Sequence, residues 1–390
     1  MATPPRPVFV VGRFPPPLDG QTLATARLAE LVEVDRPVER VSTSAPEGDR
    51  LVTAEARWSW SRFTHYLGVG RRLRRRLDDH PAPPVLWASV SPHPLGHARD
   101  VATTLPAFGA GRPVVAVVHR AYFDRMFRSP LTRPTARRVV GRCAAVVFLT
   151  EGLAARAAPF VPAAKRVVIP NTVGADVLCT DAEVAAAREA RLGRGGLRLL
   201  FLGNMMPEKG YLAALDAVAR LRADGHDVEA DFVGRWMSEA DRAAFLDRVR
   251  RGGVADRVRA HGGVGDRAQI KRLLLGADLF LFPSTHPSEA LPVAVLEALN
   301  AGTPVVGVRH GGLPEAVEDG VEGRLVDAPD AGALAAAVSD LATPDAWRGA
   351  SVRARARFER QFSPAAVGAQ WLALLDRLPG AGRGGLASDP

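Results

Sequence analysis

Short, unbroken apolar runs set between helical patterns recur from one end of this chain to the other, and they leave few architectures open. Val8 to Val11 is the first. With no polar residue on either face, such a run fits a parallel sheet covered on both sides rather than a sheet with one wet face. After a Pro15-Pro16-Pro17-Leu18-Asp19-Gly20 loop come Leu23, Ala26, Leu28, Ala29 and Leu31 at helical spacing. Further strands are expected at Val38 to Val41, Val85 to Ser89, Val114 to Val118, Ala144 to Leu149 and Val167 to Ile169. The second half repeats the alternation. Its strands are expected at Leu197 to Leu202, Val228 to Val233, Val258 to Ala260, Asp278 to Phe282 and Val305 to Val308. Its helices are expected at Gly210 to Ala223, Glu239 to Arg250, Arg267 to Leu275 and Ala333 to Leu341. This order predicts an α/β fold built from doubly wound parallel sheets.

At 390 residues the chain exceeds one ordinary core and suits two domains. The break is expected near Asn171 to Arg194, where apolar periodicity weakens and Gly193, Gly195 and Gly196 cluster. This gives an N-terminal domain of residues 1–178 and a second of residues 179–362. Ser363-Pro364 reads as the cap and first residue of a last helix, residues 363–378. Trp371, Leu374, Leu375 and Leu378 form an apolar stripe on it, by which it is expected to pack back on the first domain. Residues 379–390 read as a disordered tail.

With 47% hydrophobic and 24% charged residues the chain is globular, and wholesale disorder is excluded. Its two cysteines, Cys143 and Cys179, are too few for a disulfide framework and too isolated for a metal site. No apolar leader precedes Val8, and no run of about 18 apolar residues occurs, so a cytoplasmic protein, soluble or held at a membrane surface, is expected. Charge is uneven. Residues 1–180 hold 25 Lys and Arg against 14 Asp and Glu, net +11; the remainder holds 26 against 28, net −2. The run Arg71-Arg72-Leu73-Arg74-Arg75-Arg76 and the segment from Arg120 to Arg142 carry much of the excess. Such a half suits an anionic partner, or is simply an arginine-rich solvated surface.

Chemistry concentrates between Ala277 and Gly312. Here a strand, a Pro/Ser/Thr-rich loop, a helix from near Leu291, a Gly-Thr-Pro stop and a second strand follow one another. Glu289 falls just before the helix and Glu297 eight residues on. If that span is mostly helical, the two carboxylates lie roughly 12 Å apart. That is about the reach of a nucleotide diphosphate sugar, with the helix N–H groups near its phosphates. The plainer alternative makes Glu289 a helix-start acid and Glu297 part of a solvated face. Upstream, Phe201-Leu-Gly-Asn-Met-Met-Pro-Glu-Lys-Gly210 sets a glycine turn and Lys209 at the carboxyl edge of a strand, where open α/β sheets bind ligands. Lysine is rare in this chain. Lys165, Lys209 and Lys271 are the three among 51 basic residues, so Lys209 is a candidate phosphate contact rather than one more surface cation.

Taken together, Gly203-x5-Lys209-Gly210, Phe232-Val-Gly234, Ser288-Glu289-Ala-Leu-Pro292, Glu297-Ala298, Gly302-Thr-Pro304, Gly311-Gly312-x-Pro314-Glu315 and Gly320-x-x-Gly323 resemble the donor half of glycosyltransferase family 4. These are retaining enzymes of the GT-B fold, two Rossmann-like doubly wound domains facing a central cleft. In the N-terminal half, the loop from Pro16 to Gly20, the Val117-Val118-His119 strand end and Ile169-Pro170-Asn171 resemble the family's glycine loop, histidine strand end and hinge. The resemblance implies that Glu297 accepts hydrogen bonds from ribose hydroxyls and that Glu289 faces the donor sugar. Backbone N–H groups of Ala290 and Leu291 would hold sugar or phosphate, and Lys209 would neutralise the departing diphosphate. Gly20 would let the first loop approach the donor, and His119 would contact the transferred sugar; a strand-end histidine satisfied by backbone is the alternative. Asn204, beside Gly203, stands where the family commonly has arginine, and Arg235 or Arg267 is the expected substitute. Asp19 replaces the first of two loop glycines, and Thr172 a glycine after the hinge.

The implied reaction is retaining transfer of a sugar from a nucleotide diphosphate sugar, UDP-linked rather than GDP-linked, to an acceptor hydroxyl. No Asp-x-Asp pair sits at a strand end, so neither a metal nor a cofactor is expected. The products would be bacterial glycans, glycolipids or natural products. A lipid-linked acceptor would bring the basic N-terminal domain against anionic headgroups, a peripheral association with the inner face of the cell membrane. Two alternatives remain: a sugar-nucleotide epimerase on the same fold, and a non-catalytic basic protein binding membrane or nucleic acid. No aromatic interleaving accompanies the arginines, so a nucleic-acid partner is not expected.

Overall fold

The computed structural model describes residues 6–16, 20–44, 60–80, 82–88, 90–91 and 94–379. Pro17 to Asp19 of the first loop, Ser89 and residues 380–390 lie outside the described residues. The chain divides into two compact units. One runs to Asn171 and resumes at Val367; the other is Thr172–Ala366.

In the first unit the order is β1 Val8–Gly12, α1 Gly20–Glu33, β2 Val38–Ser42, α2 Trp60–Asp78, β3 Val85–Trp87, α3 Pro94–Gly109, β4 Val114–Val118, α4 Arg125–Arg128, α5 Arg133–Arg142, β5 Ala145–Phe148, α6 Glu151–Arg156 and β6 Arg166–Val168. The sheet is parallel, in the order β2-β1-β3-β4-β5-β6. Every residue of β1, β3, β4 and β5 is buried, as unbroken apolar runs require. One face is covered by Leu28, Ala29 and Val32 of α1 together with Trp371, Leu374, Leu375 and Leu378 from the far end of the chain. The opposite face carries α2, α3 and α5, because right-handed crossovers that step along the sheet in one direction place their helices on one side.

The second unit holds α7 Asp181–Leu192, β7 Leu197–Leu202, α8 Tyr211–Ala223, β8 Val228–Val233, α9 Glu239–Arg251, β9 Val258–Gly262, α10 Arg267–Gly276, β10 Leu279–Phe282, α11 Val293–Asn300, β11 Val305–Val308, α12 Leu313–Ala316, β12 Gly323–Val326, α13 Ala331–Asp340 and α14 Pro344–Arg357. The chain then passes through a π-helical turn, Phe358–Phe362, into α15, Pro364–Asp376, which Ser363 caps through the Ala366 N–H at 3.2 Å. The second sheet, also parallel, runs β12-β11-β10-β7-β8-β9.

Several elements depart from expectation. The weakly periodic stretch 171–194 contains α7, started by a capping box in which Thr180 and Glu183 satisfy each other's backbone N–H groups. β10 begins at Leu279, not Asp278. The Asp278 carboxylate instead accepts the Arg198 N–H at 2.6 Å and pairs with Arg191 and Arg194. β12 and α14 carried too little apolar pattern to be expected. Gly323 opens β12 because a Cβ there would lie 1.9 Å from the Val305 carbonyl oxygen.

Candidate active site

In the second sheet β7 has β8 on one side and β10 on the other, so the winding direction reverses between β7 and β10. Ligands of open α/β sheets bind outside the carboxyl ends of strands at such a reversal. The loops that leave these two strands carry Lys209 and Glu289.

After β7, Gly203 donates to the Val233 carbonyl at 2.9 Å, and Pro207–Lys209 form a 3-10 turn closed by Gly210 at φ 77°. Only glycine fits at 210, because a Cβ would lie 2.2 Å from the Pro283 carbonyl oxygen. The loop after β10 is stitched to that turn by the Thr285 N–H donating to the Glu208 carbonyl at 2.8 Å. It is stitched to the end of β11 by His310 Nε2, 3.1 Å from the His286 carbonyl. These contacts bring Lys209 Nζ onto Glu289 Oε1 in an ion pair, and Ser284 Oγ donates to the same oxygen at 2.9 Å. Glu289 is buried, and Gly311, at φ 58°, lies so close that a Cβ would be 2.8 Å from the Glu289 Cβ.

Glu289 is therefore not a helix-start acid. α11 begins four residues later at Val293, and Ala290 and Leu291 are buried in the turn between, with Pro292 at the cap. The 12 Å separation assumed a continuous helix, whereas only the second half of the interval is helical. Nor is Glu297 on a solvated face. It is 3% exposed and accepts from Arg267 at 2.5 Å, and Arg267 also reaches Asp176 at 3.3 Å. The search for a cation to replace the arginine expected at Asn204 thus divides. Arg267 is already committed to two carboxylates, while Arg235, like Asn204 itself, is exposed and forms no ion pair among the described residues. Ser284, His286, His310 and the pairing of Arg267 with Glu297 were not anticipated. The serine and histidines lie in a loop and at a strand end, where no periodicity marks a direction.

In the first unit the corresponding reversal lies between β1 and β3. Gly20, the first residue of α1, follows β1, and a Cβ there would meet nothing within 4 Å. No protein contact among the described residues demands glycine at that place. His119 follows β4. One side of its ring is held by the Ala88 backbone, while Nε2 is enclosed with no hydrogen-bond partner among the described residues. Burial lowers its pKa to about 4, so the ring is neutral at physiological pH. Backbone satisfaction accounts for half of the imidazole and leaves the other half open. Nearby in sequence, Asp100 is buried and its pKa is raised to about 6, although Arg99 and the Ser91 N–H both favour its ionised form. Cys143 and Cys179 are free and buried, their thiols pushed up to about 12 and about 11 by burial. Among the described residues no helix is long and apolar enough to cross a membrane.

Comparison with known proteins bears on the family and the fold. A family model described as glycosyltransferase family 4 matches residues 26–177, and one described as glycosyl transferases group 1 matches residues 196–343. The 2-deoxystreptamine glucosyltransferase of Streptomyces kanamyceticus is 31% identical over 285 residues, 68% of this chain and 68% of that protein. The amylovoran biosynthesis glycosyltransferase of Erwinia amylovora is 35% identical over 188 residues, 47% of this chain and 45% of that protein, so the chain spans less than half of this relative. Among solved structures, Anabaena HepE in complex with UDP superposes with a TM-score of 0.69 at 18% identity, covering 96% of this chain and 100% of that one. The fold is GT-B. The chain belongs to the family 4 glycosyltransferases.

Proposed function

We propose that the protein is a retaining glycosyltransferase that moves a sugar from a nucleotide diphosphate sugar to an acceptor hydroxyl. The observation that carries this reading is the pairing of Lys209 with the buried carboxylate of Glu289 at the reversal of the second sheet, with Glu297 enclosed on the helix that follows. As the donor enters, Lys209 exchanges Glu289 for diphosphate oxygens and stabilises the charge that grows on the leaving group. Glu289, freed from the lysine and still held by Ser284, accepts from sugar hydroxyls. Glu297 accepts from ribose hydroxyls, with Arg267 fixing its orientation. The neutral His119 supplies an unpaired nitrogen for a hydroxyl hydrogen bond. During transfer the C1–O bond to the diphosphate breaks as the acceptor oxygen bonds to C1 on the same face, and the acceptor proton passes to the departing phosphate oxygen. No metal or cofactor is required by this route.

A UDP-sugar is the favoured donor, since the similar Anabaena structures are complexes with UDP and with UDP-glucose. The acceptor is a glycan, a small natural product or a lipid-linked hydroxyl in the cytoplasm, as the names of similar proteins span all three. The test is turnover of a panel of UDP-, GDP-, ADP- and dTDP-sugars by the pure protein. Nucleotide release from a UDP-sugar that persists in EDTA, and is lost in Lys209→Ala and Glu289→Ala, supports the reading. Unchanged release in both variants sinks the site assignment, and epimerisation without transfer sinks the transferase.

A further inference from the structure

The charge excess of the N-terminal half has a definite location. α2, α3 and α5 lie side by side on one face of the first sheet. A Cβ on Gly70 of α2 would lie 2.7 Å from the Ala102 carbonyl oxygen of α3, and His97 Nε2 of α3 stands 2.9 Å from Thr135 Oγ1 of α5. Among the described side chains of α2, Val69, Gly70, Leu73 and Leu77 are buried, so the outward side is centred on Arg71, Arg72 and Arg75. All three are exposed and form no ion pair among the described residues. The two arginines on the flanks are neutralised instead, Arg74 by Asp78 and Arg76 by Glu39. On α5, Ala136, Val139 and Val140 are buried, while Arg137, Arg138 and Arg142 are exposed and equally without ion pairs. No acidic residue occurs from Arg125 to Thr150.

Between these two basic helices α3 is uncharged from Val101 to Gly109. It exposes Leu105 at 51%, and Leu131, just before α5, is 83% exposed. Two bands of unpaired guanidinium groups beside the uncharged half of α3, with an exposed leucine on α3 and another before α5, make a surface suited to lipid headgroups: bidentate cations for phosphate, and apolar side chains for the acyl boundary.

We infer that the α2–α3–α5 face of the first unit docks on an anionic bilayer. This deepens the lipid-linked acceptor reading, on which its purpose rests, but its test needs neither donor nor acceptor. The full chain is sedimented with vesicles of phosphatidylcholine alone and of phosphatidylcholine mixed with phosphatidylglycerol, at low and high salt. Binding is expected to the mixed vesicles only and to weaken with salt. The triple variant Arg71→Glu, Arg75→Glu, Arg138→Glu should lower partitioning on the order of 100-fold, at about fivefold for each basic residue removed from the surface. A control with the same change in net charge, Arg242→Glu, Arg250→Glu, Arg251→Glu on α9 of the other unit, should bind as the parent does. Leu105→Ser, which removes the apolar side chain without adding charge, should weaken binding at unchanged salt dependence. Equal loss in the two triple variants, equal binding to both vesicle types, absence of binding at low salt, or tighter binding to duplex DNA than to the mixed vesicles would each overturn the inference. Nucleotide release from the donor by the same preparations is measured separately, so failure to dock is distinguished from failure to transfer.

Discussion

The two units share a six-stranded parallel sheet with one reversal of winding, yet their carboxyl edges are chemically opposite. In the second unit the edge is charged and already paired, Lys209 with Glu289 and Arg267 with Glu297. In the first, among the described residues, His119 is neutral with an unpartnered nitrogen and a Cβ added to Gly20 would meet nothing within 4 Å. A buried carboxylate is tolerable only with a partner, and Glu289 and Glu297 each have a cation; in the proposed reaction a diphosphate would take the place of Glu289 on Lys209. A neutral ring carries a smaller desolvation cost and can wait unpaired. In the proposed reaction one unit would exchange ion pairs and the other would add neutral hydrogen bonds.

The largest effect expected from breaking this contrast is structural. Trp371→Ala removes an aromatic that is 4% exposed in the core beneath β1 and α1, and should cost about 3–5 kcal/mol. Chemical denaturation followed by limited proteolysis should show the first unit opening while the second resists. Equal opening of both would show that the helix is not specific to one core. Next, Lys209→Ala and Glu289→Ala should each lower kcat about 100- to 1000-fold, as expected for removal of a preorganised charge. The double variant should lose roughly the product of the two single losses, because the donor separates the groups and gives each its own contact. A double variant no worse than either single one would argue against that exchange. Glu297→Ala should raise the donor KM about 10- to 100-fold with kcat nearly kept, since ribose contacts bind ground and transition states alike. A fall confined to kcat would remove Glu297 from nucleotide recognition.

The smallest effect is a pH dependence. Folding holds His119 near 4, below its ordinary 6.5, so its contribution to stability is complete above about pH 6.5 and lost as pH falls towards 4. Asp100 runs the other way. Its pKa is raised from 3.8 to about 6, so its contribution is complete below 3.8 and lost as pH rises through 6. Urea denaturation across pH 4–7 should find His119→Gln spared the acid-side loss, with the Asp100 dependence left in place. An unchanged slope would show that His119 is not buried as a neutral ring.

Most strands of both sheets could be read from residues such as Val114 to Val118, because an unbroken apolar run has few places to go other than a covered parallel strand. The Arg-rich α14 and the short β12 could not, since their apolar residues are too few to set a period. Glu289, Glu297 and Lys209 could be nominated from spacing and from resemblance, but their surroundings could not. What the sequence determined by itself was the kind of sheet, the turn chemistry at Gly210 and the residues able to carry charge, all of which depend on near neighbours in the chain. Tertiary structure alone decided that Lys209 meets a carboxylate 80 residues away, that Arg267 belongs to Glu297, and that Trp371 completes the core begun by Val8. Such pairings depend on strand order, and strand order is settled by the burial of whole faces rather than by any local stretch of sequence.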